Sequence, residues 1–533
     1  MPIESLISRS LLVIFGALLA SGGGVAAGDK IDVVRDLAGR VGPVVGSALA
    51  CRDIARPRIQ LIVDKFTAVI TEASSNEAER SDLTQLLERS VADGSGAVTS
   101  GRIDCRSADR QLADLERSIA TPALPAVIAP PSVAAAASSA SSSFAAAAAT
   151  APTAPVSVGP AVRGVTDQEI RFGMAAPFSG SAKELGRQMK LGIDTAFNRV
   201  NEAGGVEGRT LKLIAADDGY EPSRTVDAMK QLYEKDQVFG IIGNVGTPTA
   251  MVAVPYALER RMLFFGAFTG ANVLRHDPPD RYVFNYRASY AEETDAVVRY
   301  LVKLRRIPPR QIAVFAQQDT YGDSGFAGVA KAVRSLGASD AAIVRLNYKR
   351  NTVDVDEAIN QLKLQKPPIK AVVMVATYRA AAKFIERTHD LYPGLLYTNV
   401  SFVGSTALAD ELMLLGPRYA AGAIVTQVVP AVSGYSSAVL EYKNALAKYF
   451  PGEAPDYVSL EGYVAANVLI QGLKRTGPQL DTEKLIDVLE NTRDLDLGLG
   501  ASLGFGRAEH QASHKIWGTA LDENGKYQAI ELE

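Results

Sequence analysis

Four histidines and two cysteines are the scarce reactive side chains in this 533-residue chain. His510 and His514 stand four apart in His-Gln-Ala-Ser-His, a spacing that puts two metal ligands on one face of a helix. The glutamate of an H-E-x-x-H zinc-protease motif is missing between them. His276 and His389 stand alone, and no G-x-S-x-G turn supplies an activated serine. A G-x-x-x-x-G-K-[ST] phosphate cradle is absent, and no G-x-G-x-x-G follows the first apolar strand. No metal, cofactor or catalytic centre is therefore expected. What remains is binding chemistry, concentrated first in residues 170–218. An apolar strand runs into Pro177-Phe178-Ser179-Gly180, an amphipathic helix follows, and a Gly-rich turn at 203–208 leads to a second strand ending on Asp217-Asp218. That is a βαβ unit, whose strand-end loops are where open α/β sheets hold ligands.

With 47% hydrophobic residues, a chain of this length can bury more than one core, so two or three domains are expected. The net charge of −3 gives no basis for a nucleic-acid partner or an anionic membrane surface. Residues 1–27 read as a signal peptide: Arg9 is positive, 11–20 is apolar, and Val25-Ala26-Ala27 is a small-residue cleavage site. No later run of about 20 apolar, uncharged residues follows, so a soluble exported protein is expected. In an oxidising compartment Cys51 and Cys105 are expected to form a disulfide, two buried thiols being the alternative.

Residues 28–120 are expected to form a small antiparallel helical bundle. Apolar positions recur at helical spacing over 59–70 and 83–91, residues 76–82 read as a polar connection, and 109–119 is amphipathic. The Ala/Ser/Pro-rich tract at 121–164 reads as a linker. From 165 onward strands and helices alternate. Strands are predicted over 170–174, 210–216, 239–243, 262–265, 311–316, 341–348, 371–376, 401–404 and 423–428. Helices are predicted over 186–202, 223–236, 290–304, 325–336, 376–389, 436–449, 459–476 and 481–492. This alternation implies parallel, doubly wound sheets, and residues 165–533 are too many for one. Two lobes are expected.

Eight blocks now stand in order: PFSG (177–180), NEAGGVEGRTLKL (201–213), DDGYEP (217–222), VFGIIGNVGTPT (238–249), FFGAFTGANVLR (264–275), VFNYRASY (283–290), IAVFAQQDTYGDSGFAG (312–328) and SFVGS (401–405). Together they resemble the type I periplasmic binding proteins of the leucine/isoleucine/valine-binding family, the solute receptors of ABC importers. The resemblance covers residues 167–533 and leaves the helical domain and linker outside it. It implies an α/β, two-lobed fold with three hinge crossings, placed near 286–288, 428–430 and 504–512. Lobe one would hold about 167–286 and 430–504, lobe two about 287–429 and 505–533.

The resemblance also carries ligand roles. A hydroxyl after the third strand and main-chain groups after the fourth would hold a ligand carboxylate, which places Thr247, Ala267 and Thr269 in the site. Hydroxyls and free N–H groups near helix N-termini suit an anion, while helix capping is the alternative for both threonines. Tyr321 matches an aromatic that closes over the ligand, with a core tyrosine as the alternative. Asp319 and Asp323 beside it would accept from a ligand amine or cap a helix after Gly325. Tyr378 follows a strand of the second lobe. The family's acid for the ligand ammonium falls on Thr406, and its tryptophan after the PFSG turn falls on Leu185. A buried ammonium needs a charge partner, and Glu461 is the acid that could supply one from another direction, its plainer reading being a solvated helix position or a cap. The implied function is capture of a small polar solute, an amino acid or related carboxylate or amide, for an inner-membrane ABC permease. The alternative is a periplasmic sensor that signals to a membrane receptor or kinase. The helical domain is available to dock an envelope partner.

Overall fold

The computed structural model describes residues 27–120, apart from positions 52, 53, 55, 75, 101 and 102, and residues 162–532. The signal-peptide reading and nearly all of the Ala/Ser/Pro tract lie outside the described residues. Two compact units divide at residues 151 and 152.

The first unit is built from helices Ala27–Ala50, Arg56–Ala73, Glu77–Thr99 and Cys105–Ala120. Residues 77–82 are not a connection but the start of the third helix. Asn76 is its N-cap, its side-chain oxygen accepting from the Glu79 N–H at 2.9 Å, so the polar run is a helix start. The first and third helices approach backbone to backbone, since a Cβ on Gly46 would stand 1.9 Å from the Val91 carbonyl oxygen. The Ser47 and Ser95 hydroxyls donate across that contact to the carbonyls of Gly94 and Gly46. Cys51 and Cys105 are disulfide-bonded, joining the end of the first helix to the start of the last.

The second unit carries two sheets. The first is five-stranded and parallel in the order β2-β1-β3-β4-β5, with β1 Glu169–Ala176, β2 Thr210–Asp217, β3 Gly240–Ile242, β4 Leu263–Phe265 and β5 Val283–Phe284. The second runs β12-β11-β10-β9-β8-β6-β7, with β6 Ile312–Gln317, β7 Val344–Tyr348, β8 Ala371–Val375, β9 Leu396–Asn399, β10 Ile424–Gln427, β11 Trp517–Leu521 and β12 Tyr527–Ile530. It is mixed: β11 and β12 are antiparallel, because a tight Asp522–Gly525 turn joins them as a hairpin.

Three predicted elements move, the strand predicted over 341–348 beginning only at Val344, after a 3-10 turn at Asp340–Ala342. The strand predicted at 401–404 is a short 3-10 turn, Ser401–Val403, and the strand itself is β9. Gly404 has φ +80°, which no extended run can contain. The helix predicted from 325 begins at Thr320, because Asp319 caps it by accepting from the Tyr321 N–H at 3.0 Å. Gly322 and Gly325 are packing positions inside that helix, against the Gln317 carbonyl and Val375.

After β10 the helices Ser437–Tyr449 and Tyr457–Thr476 pack against Lys183–Glu202, a helix of the first sheet. The segments that pass between the sheets lie side by side. The Tyr286 hydroxyl donates to the Val428 carbonyl (2.8 Å), the Asn285 N–H to the His510 carbonyl (2.7 Å), and the Ala512 N–H to the Asn285 carbonyl (2.8 Å). Short parallel crossings of this kind are what a hinge motion can bend without breaking either core.

Candidate functional site

The carboxyl ends of β1, β3 and β4 face those of β6, β8 and β9. Loops of the two sheets meet here, the Gln317 side-chain amide donating to the Tyr220 hydroxyl at 3.1 Å and the Ser181 hydroxyl to the Asn351 side-chain oxygen at 3.0 Å, at the place where open α/β sheets take ligands. The PFSG turn is held by Asp217, whose carboxylate accepts from the Phe178 and Ser179 N–H groups at 2.8 and 3.1 Å. Hydrogen bonds from Ser179, Phe178 and Gly219 overcome the cost of burial and lower its pKa.

Thr247 opens the helix Thr247–Glu259, but Gly246 is the cap residue and the Thr247 side chain caps nothing. Its hydroxyl instead meets that of Thr269 at 2.7 Å, both side chains being buried. Ala267 lies buried on the same loop. The Tyr290 hydroxyl sits beside the threonine pair, buried and without a hydrogen-bond partner of good geometry. From the second lobe come Tyr321 and Phe402. Phe402 stacks on Phe268 of the first lobe, with ring centroids 5.1 Å apart, and lies 4.6 Å from Tyr321 and 6.2 Å from Tyr220. Tyr321 donates to the Ala376 carbonyl at 3.4 Å.

Leu185, Tyr378 and Thr406 form a separate group at the mouth. Leu185 closes on Gly404, where a Cβ would stand 2.5 Å from its Cδ2. Tyr378 and Thr406 line a cavity of about 280 Å³ with Asp410 and Asp456. Asp319 and Asp323 are both engaged within the second lobe: Asp319 caps its helix and pairs with Arg350 (3.0 Å), and Asp323 pairs with Arg345 (2.7 Å). The lobes also meet through Glu221, which accepts from Arg350 (2.8 Å) and Asn351 (2.6 Å). His510 and His514 are not on a helix, so their spacing presents no common face. His510 stacks on Phe284 and His514 pairs with Glu292 at 2.6 Å.

The residue that the sequence reading passed over is Arg287. It is fully buried in the first crossing, although it stands in the VFNYRASY block. Its Nη2 donates to Glu293 at 3.0 Å and to the Ser401 hydroxyl. Its Nη1 stands 3.6 Å from Glu461. Glu461 is only 3% exposed, so the reading of a solvated helix position fails. Burial pushes its carboxyl up to about 7, with Arg287 pulling it down and Glu293 pushing it up. Its raised folded-state value means the folded protein binds more protons than the unfolded chain between about pH 4.5 and 7. Stability should therefore fall as pH rises through that window. Glu461→Gln should flatten the loss, read as a smaller drop in unfolding midpoint from pH 4.5 to 7. An unchanged pH profile would clear Glu461 of this role.

A family model described as periplasmic binding protein matches residues 169–526. Over 353 residues the chain is 25% identical to the Leu/Ile/Val-binding protein BraC3 of Rhizobium johnstonii, covering 65% of this chain and 90% of that one. It is 26% identical to Leu/Ile/Val-binding protein homolog 3 of Brucella melitensis over 62% of this chain and 86% of that one. Among solved structures, a possible leucine/isoleucine/valine-binding protein from Rhodopirellula baltica shares 38% identity and a TM-score of 0.65, over 70% of this chain and 98% of that one. A valine-bound branched-chain amino acid ABC transporter structure from Thermus thermophilus, 15% identical, shares the fold at a TM-score of 0.60 over 69% and 96% of the two chains. These relatives are solute-binding proteins rather than enzymes, and no helix among the described residues is long and apolar enough to cross a membrane. The chain belongs to the type I periplasmic binding proteins of the leucine/isoleucine/valine-binding family.

Proposed function

We propose that this chain is the periplasmic substrate-binding component of an ABC importer of the branched-chain-amino-acid type, capturing a small carboxylate-bearing solute as its lobes close. The observation that carries this reading is the Thr247–Thr269 hydroxyl pair, buried at the carboxyl ends of the first sheet and roofed by Phe402 and Tyr321 of the second. The two hydroxyls bond each other, and Thr269 accepts from the Ala271 N–H at 3.3 Å, which holds both at a strand end where hydroxyls and N–H groups suit an anion. Closure around a solute shifts an open–closed equilibrium, and the closed form is what a permease would recognise. Its partners are thus the solute and an inner-membrane ABC permease, and the leucine/isoleucine/valine-binding relatives support that assignment.

The test is a thermal-shift screen of the purified chain against amino acids, amides, short-chain acids and aromatic acids, since a ligand specific for the native state raises the apparent melting temperature. Thr269→Ala and Tyr321→Ala should each weaken the solute identified there by more than about 1 kcal/mol, measured by calorimetry, while leaving the protein folded. Unchanged affinity in both would remove these residues from the site. A chain stabilised by no small solute would overturn the receptor reading.

A further inference from the structure

Unused donors and aromatic faces meet at one place in the cleft. Of the three guanidinium nitrogens of Arg287 only Nη2 is hydrogen-bonded; Nε and Nη1 are buried without a hydrogen-bond partner. The Tyr290 hydroxyl, beside the two threonines, likewise has no hydrogen-bond partner of good geometry, and burial raises its phenol to about 12 despite the pull of Arg287 and the threonines, so at neutral pH it carries its proton. The Thr247–Thr269 pair completes a set made of hydroxyls and a cation. Buried donors left without partners are rare in folded proteins, and a group of them around a cation is suited to a carboxylate.

The acids around this set are already engaged. Glu293 accepts from Arg287, from the Ser401 N–H at 2.7 Å and from the Thr426 hydroxyl at 2.5 Å. Glu221 and Asp319 are held by Arg350. Glu461 is left beside Arg287, and the groups facing it are Arg287, Arg275, Glu293 and Tyr286. Apart from Glu293, Glu461 and Ser401, what lies next to the donors is rings. The Arg287 guanidinium carbon is 4.9 Å from the Phe268 ring centroid, and Phe268 stacks on Phe402 at an interplanar angle of 30°. Tyr220, Tyr290 and Tyr321 surround Phe402. Offset-stacked rings of this kind select a planar apolar body, and Phe402 occupies the place such a ring would take against Phe268.

Building on the receptor function proposed above, we infer that the solute is an aromatic monocarboxylate without an α-ammonium group, its carboxylate taken by Arg287 with the Tyr290, Thr247 and Thr269 hydroxyls and its ring stacked on Phe268 in place of Phe402. An anion arriving beside Arg287 and Glu461 favours the protonated form of Glu461, so binding takes up a proton. An ammonium in the same place would favour the carboxylate and release one.

The experiment is calorimetric titration of the full purified chain with phenylacetate, L-phenylalanine and L-leucine, at pH 7 and in two buffers of different ionisation heat. Phenylacetate should bind at least about 100-fold more tightly than either amino acid, as expected when the one acid within reach of a buried ammonium, Glu461, is already paired with Arg287. Binding should be accompanied by proton uptake. Tyr290→Phe removes one hydroxyl and leaves the ring, so it should weaken phenylacetate about tenfold with the ligand-free melting temperature unchanged. Equal or tighter binding of L-leucine or L-phenylalanine, or proton release, would overturn the aromatic-acid inference and leave the receptor function standing. Binding of none of the three would also overturn it, and the wider solute screen then decides the receptor function separately. Unchanged phenylacetate affinity in Tyr290→Phe would remove that hydroxyl from the carboxylate site and overturn the assignment as drawn.

Discussion

Glu293→Ala should destabilise the two-lobed unit by about 3–5 kcal/mol, the range for removing one partner of a buried ion pair. Both Arg287 and Glu293 are fully buried, so neither charge can fall back on water when the other is lost. The glutamate also terminates donors from three parts of the chain: the Arg287 guanidinium, the Ser401 N–H after β9 and the Thr426 hydroxyl of β10. Its loss would leave the Arg287 guanidinium with Glu461 at 3.6 Å as its nearest acid and the Ser401 N–H without its acceptor. Replacing both members, Arg287→Met with Glu293→Leu, should recover much of that loss, because the charges disappear together and the volume is refilled by apolar atoms. Denaturant unfolding of the single and double variants measures both quantities. A single-variant loss below about 1 kcal/mol would mean that the pair is solvated or replaced by other partners.

That charge cluster shows what the sequence could and could not reveal. Strand positions are legible because parallel strands buried on both faces are nearly continuous apolar runs, as in the entirely buried β8, AVVMV. The 401–404 and 325–336 errors have a common source. Glycines stand at both: Gly404 stops an extended run and makes room for Leu185, while Gly322 and Gly325 let a helix lie close to its sheet. Thr247, Thr269 and Tyr321 could be placed through the family blocks, since each follows a strand by a few residues. Arg287 could not. A lone arginine in a connecting segment is ordinarily solvated, and its burial depends on Ser401 and Glu461, 114 and 174 positions further along the chain. Glu461 was visible as an acid flanked by tyrosines, but its partner was not. Phe268 and Phe402 look like any apolar strand-end residue until the two sheets face each other. Residues 77–82 misled for a local reason: a polar helix N-terminus capped by asparagine has the composition of a loop.

Replacing Cys51 and Cys105 by serine should cost the N-terminal helical unit about 4 kcal/mol, the chain-entropy value for a loop of this size, and leave the two-lobed unit untouched. The bond spans 54 residues and encloses the second and third helices. Reduction would free all of that chain in the unfolded state. The unit has little to set against such a gain, since a helical domain of this size buries a smaller share of its surface than a larger one. Its core is a modest set of side chains, Val34, Val45, Ile59, Leu83 and Leu112 among them. Two of its ion pairs, Arg35–Asp82 and Arg58–Asp109, lie at the surface, where each contributes about 1 kcal/mol or less. Scanning calorimetry of the full chain should therefore show a transition that moves to much lower temperature in the serine variant, or vanishes, beside one that does not shift. The two-lobed unit keeps both of its cores and contains no cysteine, so its transition is the internal reference. A single transition that shifts as a whole would show that the two units unfold together, and that the disulfide supports the solute-binding lobes as well as its own bundle.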